Sequence, residues 1–354
     1  MVSEAQKLTV FISTPLEREY VERIRNVDRN RLEVICDPEL WPPTRYIADH
    51  KGPEDFRRPS ELDERWKQGL GRADILFDFP PKSPDGAGGM DYAPHVKWVQ
   101  TTSSGVGKLV KDLGFQDSEL LVTTAGGVHT QALAEFVFMG ILTHVKQLSL
   151  LKEEQEKHHW QRYCGEGLEG KTLAILGMGR VGRQIAKMGQ AFDMRVIGTD
   201  LLYGEEDAAK LGLDMFYPLN RLHDMLQEAD TLVIIVPDTP ETRNMIDKKA
   251  LASFKEGVIL INIGRGQVID EEGMIEALRS GKIGSAVLDV FQTEPLPSDN
   301  PLWDMPNVLI SPHSASTVTT ENRKISDIFC YNLQCYLDGR ISDMKNILDK
   351  KRMF

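Results

Sequence analysis

A chain of 354 residues is about two domains' worth of polypeptide, because single hydrophobic cores stop growing near roughly 250–300 residues. Hydrophobic residues at 41% and charged residues at 27% exclude a disordered or fibrous chain. The formal charge of −11, from 53 acidic against 42 basic residues, repels phosphate backbones and argues against nucleic acid or anionic membranes as partners. Four cysteines with no CxxC pair are too sparse for a disulfide framework, which points to a reducing, cytoplasmic setting. The opening MVSEAQKLTVFIST shows no basic and apolar leader pattern. Apolar runs such as Phe136 to Leu142 fall far short of the ~20 residues that cross a bilayer, so a soluble protein is expected.

Short apolar runs alternate with helical patterns almost throughout, which predicts an α/β protein with parallel sheets. In the first third, strands are expected at Leu8–Ser13, Leu32–Cys36, Ile75–Phe79, Val96–Gln100 and Leu120–Thr123. The Pro-rich, charged stretch from Trp41 to Trp66 reads as an irregular surface excursion, with Trp41 a candidate to cover a substrate cleft. From His129 to Leu151 apolar residues recur at helical spacing, predicting one long helix that joins two lobes. Six further strands, at Thr172–Leu176, Arg195–Thr199, Thr231–Val236, Gly257–Ile263, Ser285–Val290 and Val308–Ser311, fill one nucleotide-binding sheet. The tail from Thr317 to Leu337 reads as a helix that returns to brace the first lobe.

The run KTLAILGMGRVGRQIAKMGQAFDMRVIGTD carries the strongest signal. Its glycines follow an apolar strand, open a helix and precede a second strand that ends in Asp200. Gly177 suits a tight turn, Gly179 lets backbone approach a pyrophosphate, and Gly182 lets the helix pack on the sheet, its N-terminus toward the phosphates. Asp200, 18 residues after Gly182, is placed to accept hydrogen bonds from an adenosine ribose. Leu201, Leu202 and Tyr203 follow it, so no adjacent cation meets a 2′-phosphate, and NAD is favoured over NADP.

Three later segments end strands at their carboxyl sides, where open α/β sheets bind ligands. INIGRGQVID offers Arg265, VLDVFQTEPLP offers Glu294 and VLISPHSAS offers His313. An arginine can clamp a carboxylate and polarise a neighbouring carbonyl, a histidine can move a proton near neutral pH, and a glutamate beside it fixes its tautomer and stabilises its charged form. Singly, each has a plainer reading as a structural or surface residue. Together they suit hydride transfer between NADH and a 2-oxo acid.

With GVHTQALAEFVFMGIL, GMGRVGRQIAK, the segment around VPDTPETRNMID, INIGRGQVID, the EPLP turn and SPHSAS in this order, the chain resembles the D-isomer-specific 2-hydroxyacid dehydrogenase family over roughly Gly126 to Thr317. The resemblance implies a Rossmann NAD-binding domain at 127–317 and a discontinuous, flavodoxin-like substrate domain at 1–126 plus 318–354, with the active site in the cleft between lobes. It implies Arg265 as substrate clamp, Glu294 as partner of the histidine and His313 as acid/base; the histidines show no metal-ligand spacing and Arg265 can polarise the carbonyl, so no metal is expected. Cofactor contacts are implied at Gly177, Gly179, Arg180, Val181, Gly182, Asp200, Pro237, Thr242, Ile263, Arg265, Asp289 and His313. Formate dehydrogenases of the superfamily carry glutamine where this chain has Glu294, which argues against formate.

By the same resemblance, the backbone amides of Ser104, Gly105 and Val106 in TTSSGVGKL bind the substrate carboxylate. Many relatives have an aspartate soon after the Gly-Val pair, and here Gly107 and Lys108 follow, which puts substrate specificity in doubt. GVHTQALAEF followed by HHWQRY is similar to the glyoxylate/hydroxypyruvate reductase branch, and points Trp160 and Arg162 toward either a meeting of lobes or subunits or plain packing. The expected substrate is a small 2-oxo acid or its D-2-hydroxy acid, with a homodimer formed through the NAD-binding domain. The alternatives are a dehydrogenase of another small anion, phosphite or a phosphorylated hydroxy acid, or an NADH-sensing protein like the C-terminal-binding-protein corepressors.

Overall fold

The computed structural model of the chain describes residues 7–81 and 89–352. The chain divides into two compact units, residues 1–128 with 317–354 (unit 1) and residues 129–316 (unit 2). Both are α/β with wholly parallel sheets, as the strand patterning predicts.

Unit 1 holds β1 (Leu8–Ile12), β2 (Leu32–Ile35), β3 (Ile75–Phe77), β4 (Trp98–Gln100) and β5 (Leu121–Thr123), in sheet order β2-β1-β3-β4-β5. This is the flavodoxin-like order, in which the chain reverses direction across the sheet between β1 and β3. Alternate side chains enter separate cores: Val10 and Ile12 pack on one face with Phe329 and Leu333 of the helix Glu321–Leu337, while Phe11 packs on the other with Trp66 and Leu70. Burial on both faces explains why these strands read as apolar runs rather than as alternations. The stretch after Trp41 is irregular only in part. A helix runs from Ser60 to Gly71 and buries Trp66, whose ring meets Phe11 edge-on with centroids 5.0 Å apart. Charged residues on its outer face masked that helix in the sequence. Trp41 is half-buried, its indole N–H donating to the Ile12 carbonyl at 3.0 Å.

Unit 2 holds β6 (Thr172–Leu176), β7 (Arg195–Thr199), β8 (Met215–Phe216), β9 (Thr231–Ile234), β10 (Val258–Asn262), β11 (Ile283–Leu288) and β12 (Val308–Ile310), in order β12-β11-β10-β9-β6-β7-β8. This is the doubly wound Rossmann order with one extra strand beyond β11. The expectation of six strands is corrected to seven: β8 is only two residues long, paired to β7 at the sheet edge, too short to leave a pattern. Along β6, Ala174 and Leu176 face one core and Leu173 and Ile175 the other.

The single helix expected from His129 to Leu151 is two helices, Thr130–Val145 and Leu148–Glu156. Gln147 between them takes a left-handed φ of 53°. The returning chain ends the first helix: the Val145 carbonyl accepts from the Glu166 amide at 2.9 Å and the Lys146 carbonyl from the Tyr163 hydroxyl at 3.0 Å. Such bonds satisfy carbonyls that a longer helix would have used. The first helix lies within unit 2, with Gly140 against Val287 of β11 so closely that a β-carbon there would sit 2.7 Å from a Val287 methyl. Trp160 is 95% exposed, so packing within the chain does not account for it. All four cysteines are free, and among the described residues no helix is long and apolar enough to cross a membrane.

Candidate active site

In unit 2 the glycine turn follows β6 at the point where the sheet order reverses, between β6 and β9. Gly177 has a φ of 110°, a conformation that side chains resist. A β-carbon on Gly182 would lie 2.0 Å from the Gly177 carbonyl oxygen, so this glycine lets the helix Arg180–Ala191 start against the turn. Gly179 differs: a β-carbon there meets nothing within 4 Å. Protein packing does not demand that glycine, and the open space above it fits the approach of a pyrophosphate to the helix N-terminus. Arg180 opens that helix, and half-buried Val181 packs into the core beneath it.

Asp200 ends β7 with one carboxylate oxygen accepting from the Met178 amide at 2.6 Å and the other from the Leu202 amide at 2.8 Å. The carboxylate is thereby fixed beside the glycine turn with acceptor capacity to spare, as a ribose diol requires. Thr242 is fully buried and folds the loop after β9, its hydroxyl donating to the Pro237 carbonyl at 2.6 Å and accepting from the Thr239 amide at 2.9 Å. Its side chain shapes the loop that Pro237 begins. Ile263 is buried at the end of β10.

The three chemically suited residues follow three adjacent strands: Arg265 after β10, Glu294 after β11 and His313 after β12. His313 and Glu294 meet directly, Nδ1 to a carboxylate oxygen at 2.8 Å. The carboxylate can only accept, so Nδ1 carries the proton and Nε2 is left to exchange one. Both side chains are partly exposed. His313 also takes a left-handed φ of 54°, the kind of backbone strain that gathers at functional sites. It is held there by its amide donating to the Asp289 carbonyl at 3.0 Å.

Asp289 does more than the sequence announces. Buried at the end of β11, one of its carboxylate oxygens accepts from the Ser311 hydroxyl at 2.6 Å and from the Ser314 and Ala315 amides at 2.8 and 2.9 Å. Burial pushes its carboxyl above the usual aspartate range, opposed by those three donors. The residue thus clasps the turn that presents His313.

Arg265 is positioned by its neighbours. A β-carbon on Gly264 would lie 2.7 Å from the Val236 carbonyl oxygen, and one on Gly266 2.0 Å from the Phe291 carbonyl carbon. These close approaches lock the arginine loop between the end of β9 and the loop after β11. Asn262, buried, donates to the Arg265 carbonyl at 3.0 Å and accepts from the Gly264 amide at 3.1 Å. The guanidinium makes a local bond to the Gly264 carbonyl, and among the described residues no carboxylate pairs with it. Asn262 and Ser311 were not singled out from sequence; the available signal was a polar residue closing an otherwise apolar strand, as in VILIN and VLIS.

In unit 1, Ser104 and Gly105 are exposed after β4, while the Val106 side chain is buried and anchors the turn. Among the described residues no acceptor takes the amides of Ser104, Gly105 or Val106. Also among the described residues, no group of three or more His, Cys, Asp or Glu is arranged to hold a metal ion.

A family model for the NAD binding domain of D-isomer specific 2-hydroxyacid dehydrogenases matches residues 138–315. The chain is 36% identical over 231 residues to a glyoxylate reductase of Aeropyrum pernix, covering 63% of this chain and 68% of that protein. It is 32% identical over 238 residues to a D-3-phosphoglycerate dehydrogenase of Methanocaldococcus jannaschii, covering 66% of this chain and only 45% of that protein. The crystal structure of a family protein from Aeromonas salmonicida superposes with a TM-score of 0.76 at 29% identity, covering 98% of this chain and 100% of that one. The chain therefore belongs to the D-isomer specific 2-hydroxyacid dehydrogenase family. It is an oxidoreductase acting on CH–OH donors, with a nicotinamide-dinucleotide-binding domain in unit 2.

Proposed function

We propose that this protein reduces a small 2-oxo acid, such as glyoxylate, hydroxypyruvate or a related compound, to the D-2-hydroxy acid with NADH. The observation that carries the reading is the His313–Glu294 pair, on strands next to an arginine that has no carboxylate partner among the described residues. Bound NADH supplies the hydride. Arg265 holds the substrate carboxylate and draws charge onto the carbonyl oxygen as it develops. His313 gives the proton from Nε2 to that oxygen, so the C=O double bond becomes C–OH, and Glu294 stabilises the imidazolium from which the proton leaves. The amides of Ser104, Gly105 and Val106 receive the substrate carboxylate in this scheme. NAD is preferred to NADP because the Asp200 carboxylate repels a 2′-phosphate.

The 36% identity to a glyoxylate reductase supports this choice of substrate. A second reading, a dehydrogenase of a phosphorylated hydroxy acid, draws on the likeness to D-3-phosphoglycerate dehydrogenases. In both readings the protein works in the cytoplasm as a homodimer paired through unit 2. The test is loss of NADH absorbance with purified protein against glyoxylate, hydroxypyruvate, pyruvate, phenylpyruvate and branched 2-oxo acids, repeated with NADPH. Turnover of one of these acids with NADH is expected. Silence across the panel despite tight NADH binding overturns the reading in favour of an NADH sensor or another anion.

A further inference from the structure

The carboxyl ends of the unit 1 strands carry an acidic group of side chains that the sequence motifs do not mark. Asp78 follows β3 with a left-handed φ of 71°. Its carboxylate accepts from the Phe79 amide at 2.9 Å, the Thr102 hydroxyl at 2.6 Å and, more weakly, the Thr102 amide at 3.4 Å. The Ser13 hydroxyl, after β1, donates to its backbone carbonyl at 2.8 Å. Asp78 is thus fixed at the β1/β3 reversal, where open α/β sheets take ligands. It is tied to the residue two positions before Ser104. Two residues of chain reach at most about 7 Å, so the carboxylate lies within roughly 10 Å of the Ser104 amide, the scale of the Debye length at 0.1 M salt.

Among the described residues of unit 1, Arg45, Lys108 and Lys324 are already engaged. Arg45 is bound at both its Nε and Nη2 by Asp49, Lys108 by Asp112, and Lys324 reaches the Val128 carbonyl. Lys51 remains, but Asp49 and Glu17 act with Asp78 on the same region around His50. Among the described residues Asp78 itself has no cationic partner. A substrate with one carboxylate needs only the loop amides and Arg265. A substrate with an added phosphate brings up to two further negative charges to a strand edge that offers it a fixed like charge.

We propose that Asp78 is a specificity-determining residue that confines this enzyme to unphosphorylated 2-oxo acids and rejects phosphorylated ones. This rests on the reductase reading above and on the placing of the substrate carboxylate at the Ser104–Val106 amides. It works by repulsion of the wrong substrate rather than by attraction of the right one.

The test uses hydroxypyruvate and 3-phosphohydroxypyruvate, which share a carbon skeleton and differ only in the phosphate. With full-length protein and saturating NADH, the ratio of their kcat/KM values should favour hydroxypyruvate by about 100-fold or more. It should narrow as salt screens the repulsion. Asp78→Asn keeps the size of the side chain and suits the left-handed backbone, and it should shift the ratio by ~10-fold toward the phosphorylated acid and flatten its salt dependence. Glu276→Gln, the same charge change on the exposed face of the helix Glu271–Ser280 in unit 2, should leave the ratio unmoved. A wild-type ratio near one, or a ratio that Asp78→Asn leaves unchanged, overturns the inference while the reductase reading stands. Turnover of neither acid, with glyoxylate also inert, overturns the reading beneath it. If the variant fails to fold, a wild-type ratio that salt leaves unchanged overturns the inference.

Discussion

The two units are built alike, as parallel sheets with helices on both faces, yet they record their functions in the sequence in opposite ways. In unit 2 the residues suited to chemistry stand in short motifs, because their positions depend on backbone geometry that only glycine permits. Gly177 needs its φ of 110°, Gly182 its 2.0 Å approach to the Gly177 carbonyl, and Gly264 and Gly266 their contacts with Val236 and Phe291. Fixed glycines a few residues from a charged side chain are visible without a structure. In unit 1 the Thr14 hydroxyl donates to the His50 carbonyl and the Thr102 hydroxyl to the Asp78 carboxylate, each bond joining distant parts of the chain. Machinery that requires glycine leaves a local signature; a cluster joined by side-chain hydrogen bonds between distant segments does not.

The sharpest way to break this comparison is at His313. If the motif-bearing unit 2 holds the chemistry, His313→Ala should lower kcat by ~100- to 10,000-fold and leave the dissociation constant for NADH nearly unchanged. Glu294→Gln should lower kcat less, since an amide can orient the imidazole but cannot stabilise its charge. Both are read from steady-state kinetics and NADH fluorescence titration. Unchanged turnover in His313→Ala removes the proton from this residue altogether.

Asp200 tests the same unit with a smaller expected effect. Asp200→Ser removes the carboxylate that accepts from the Met178 and Leu202 amides. NADPH should gain on NADH by about 10-fold in kcat/KM, a size typical of one charged hydrogen-bond site. Stability should fall by about 1 kcal/mol as the two amides lose their acceptor. A cofactor ratio that stays fixed shows that the preference is set elsewhere in the loop after β7.

Most of the architecture was legible. The five strands of unit 1 and six of the seven in unit 2 were marked by apolar runs, clearest in central strands such as β6, β9 and β10, which are buried on both faces. What escaped was decided by contacts remote in sequence. The two residues of β8 pair only because β7 supplies an edge. The break at Gln147 exists because residues 163–166 return to bond the helix end. The helix Ser60–Gly71 hides Trp66 under a charged outer face. At the site, Arg265, Glu294, His313 and the glycines could be named from their motifs. The residues that hold them, Asn262 under Arg265 and Asp289 and Ser311 under His313, act through tertiary hydrogen bonds that no spacing rule predicts.

The smallest effect belongs to the buried polar group of unit 1. Glu321, at the start of the helix Glu321–Leu337, is only 5% exposed. One of its oxygens has no hydrogen-bond partner among the described residues, and the other lies 3.8 Å from Nε2 of His50, beyond hydrogen-bond reach. Burial pushes this carboxyl up to about 7, and burial likewise pulls the His50 imidazole below its ordinary value. A carboxyl raised in the folded state holds its proton more tightly there than in the unfolded chain. Its favourable contribution is complete below the ordinary glutamate range near 4.5, and it is lost as pH rises through about 7, where a charge must be kept out of water. Glu321→Gln, neutral at every pH and nearly the same shape, should match the wild-type protein near the ordinary glutamate value. At mildly alkaline pH it should be more stable by on the order of 1 kcal/mol, seen as about 2–4 °C in the unfolding midpoint. Thermal unfolding across that pH range measures the difference, and a difference that does not grow with pH shows that the carboxyl is already ionised and solvated in the folded state.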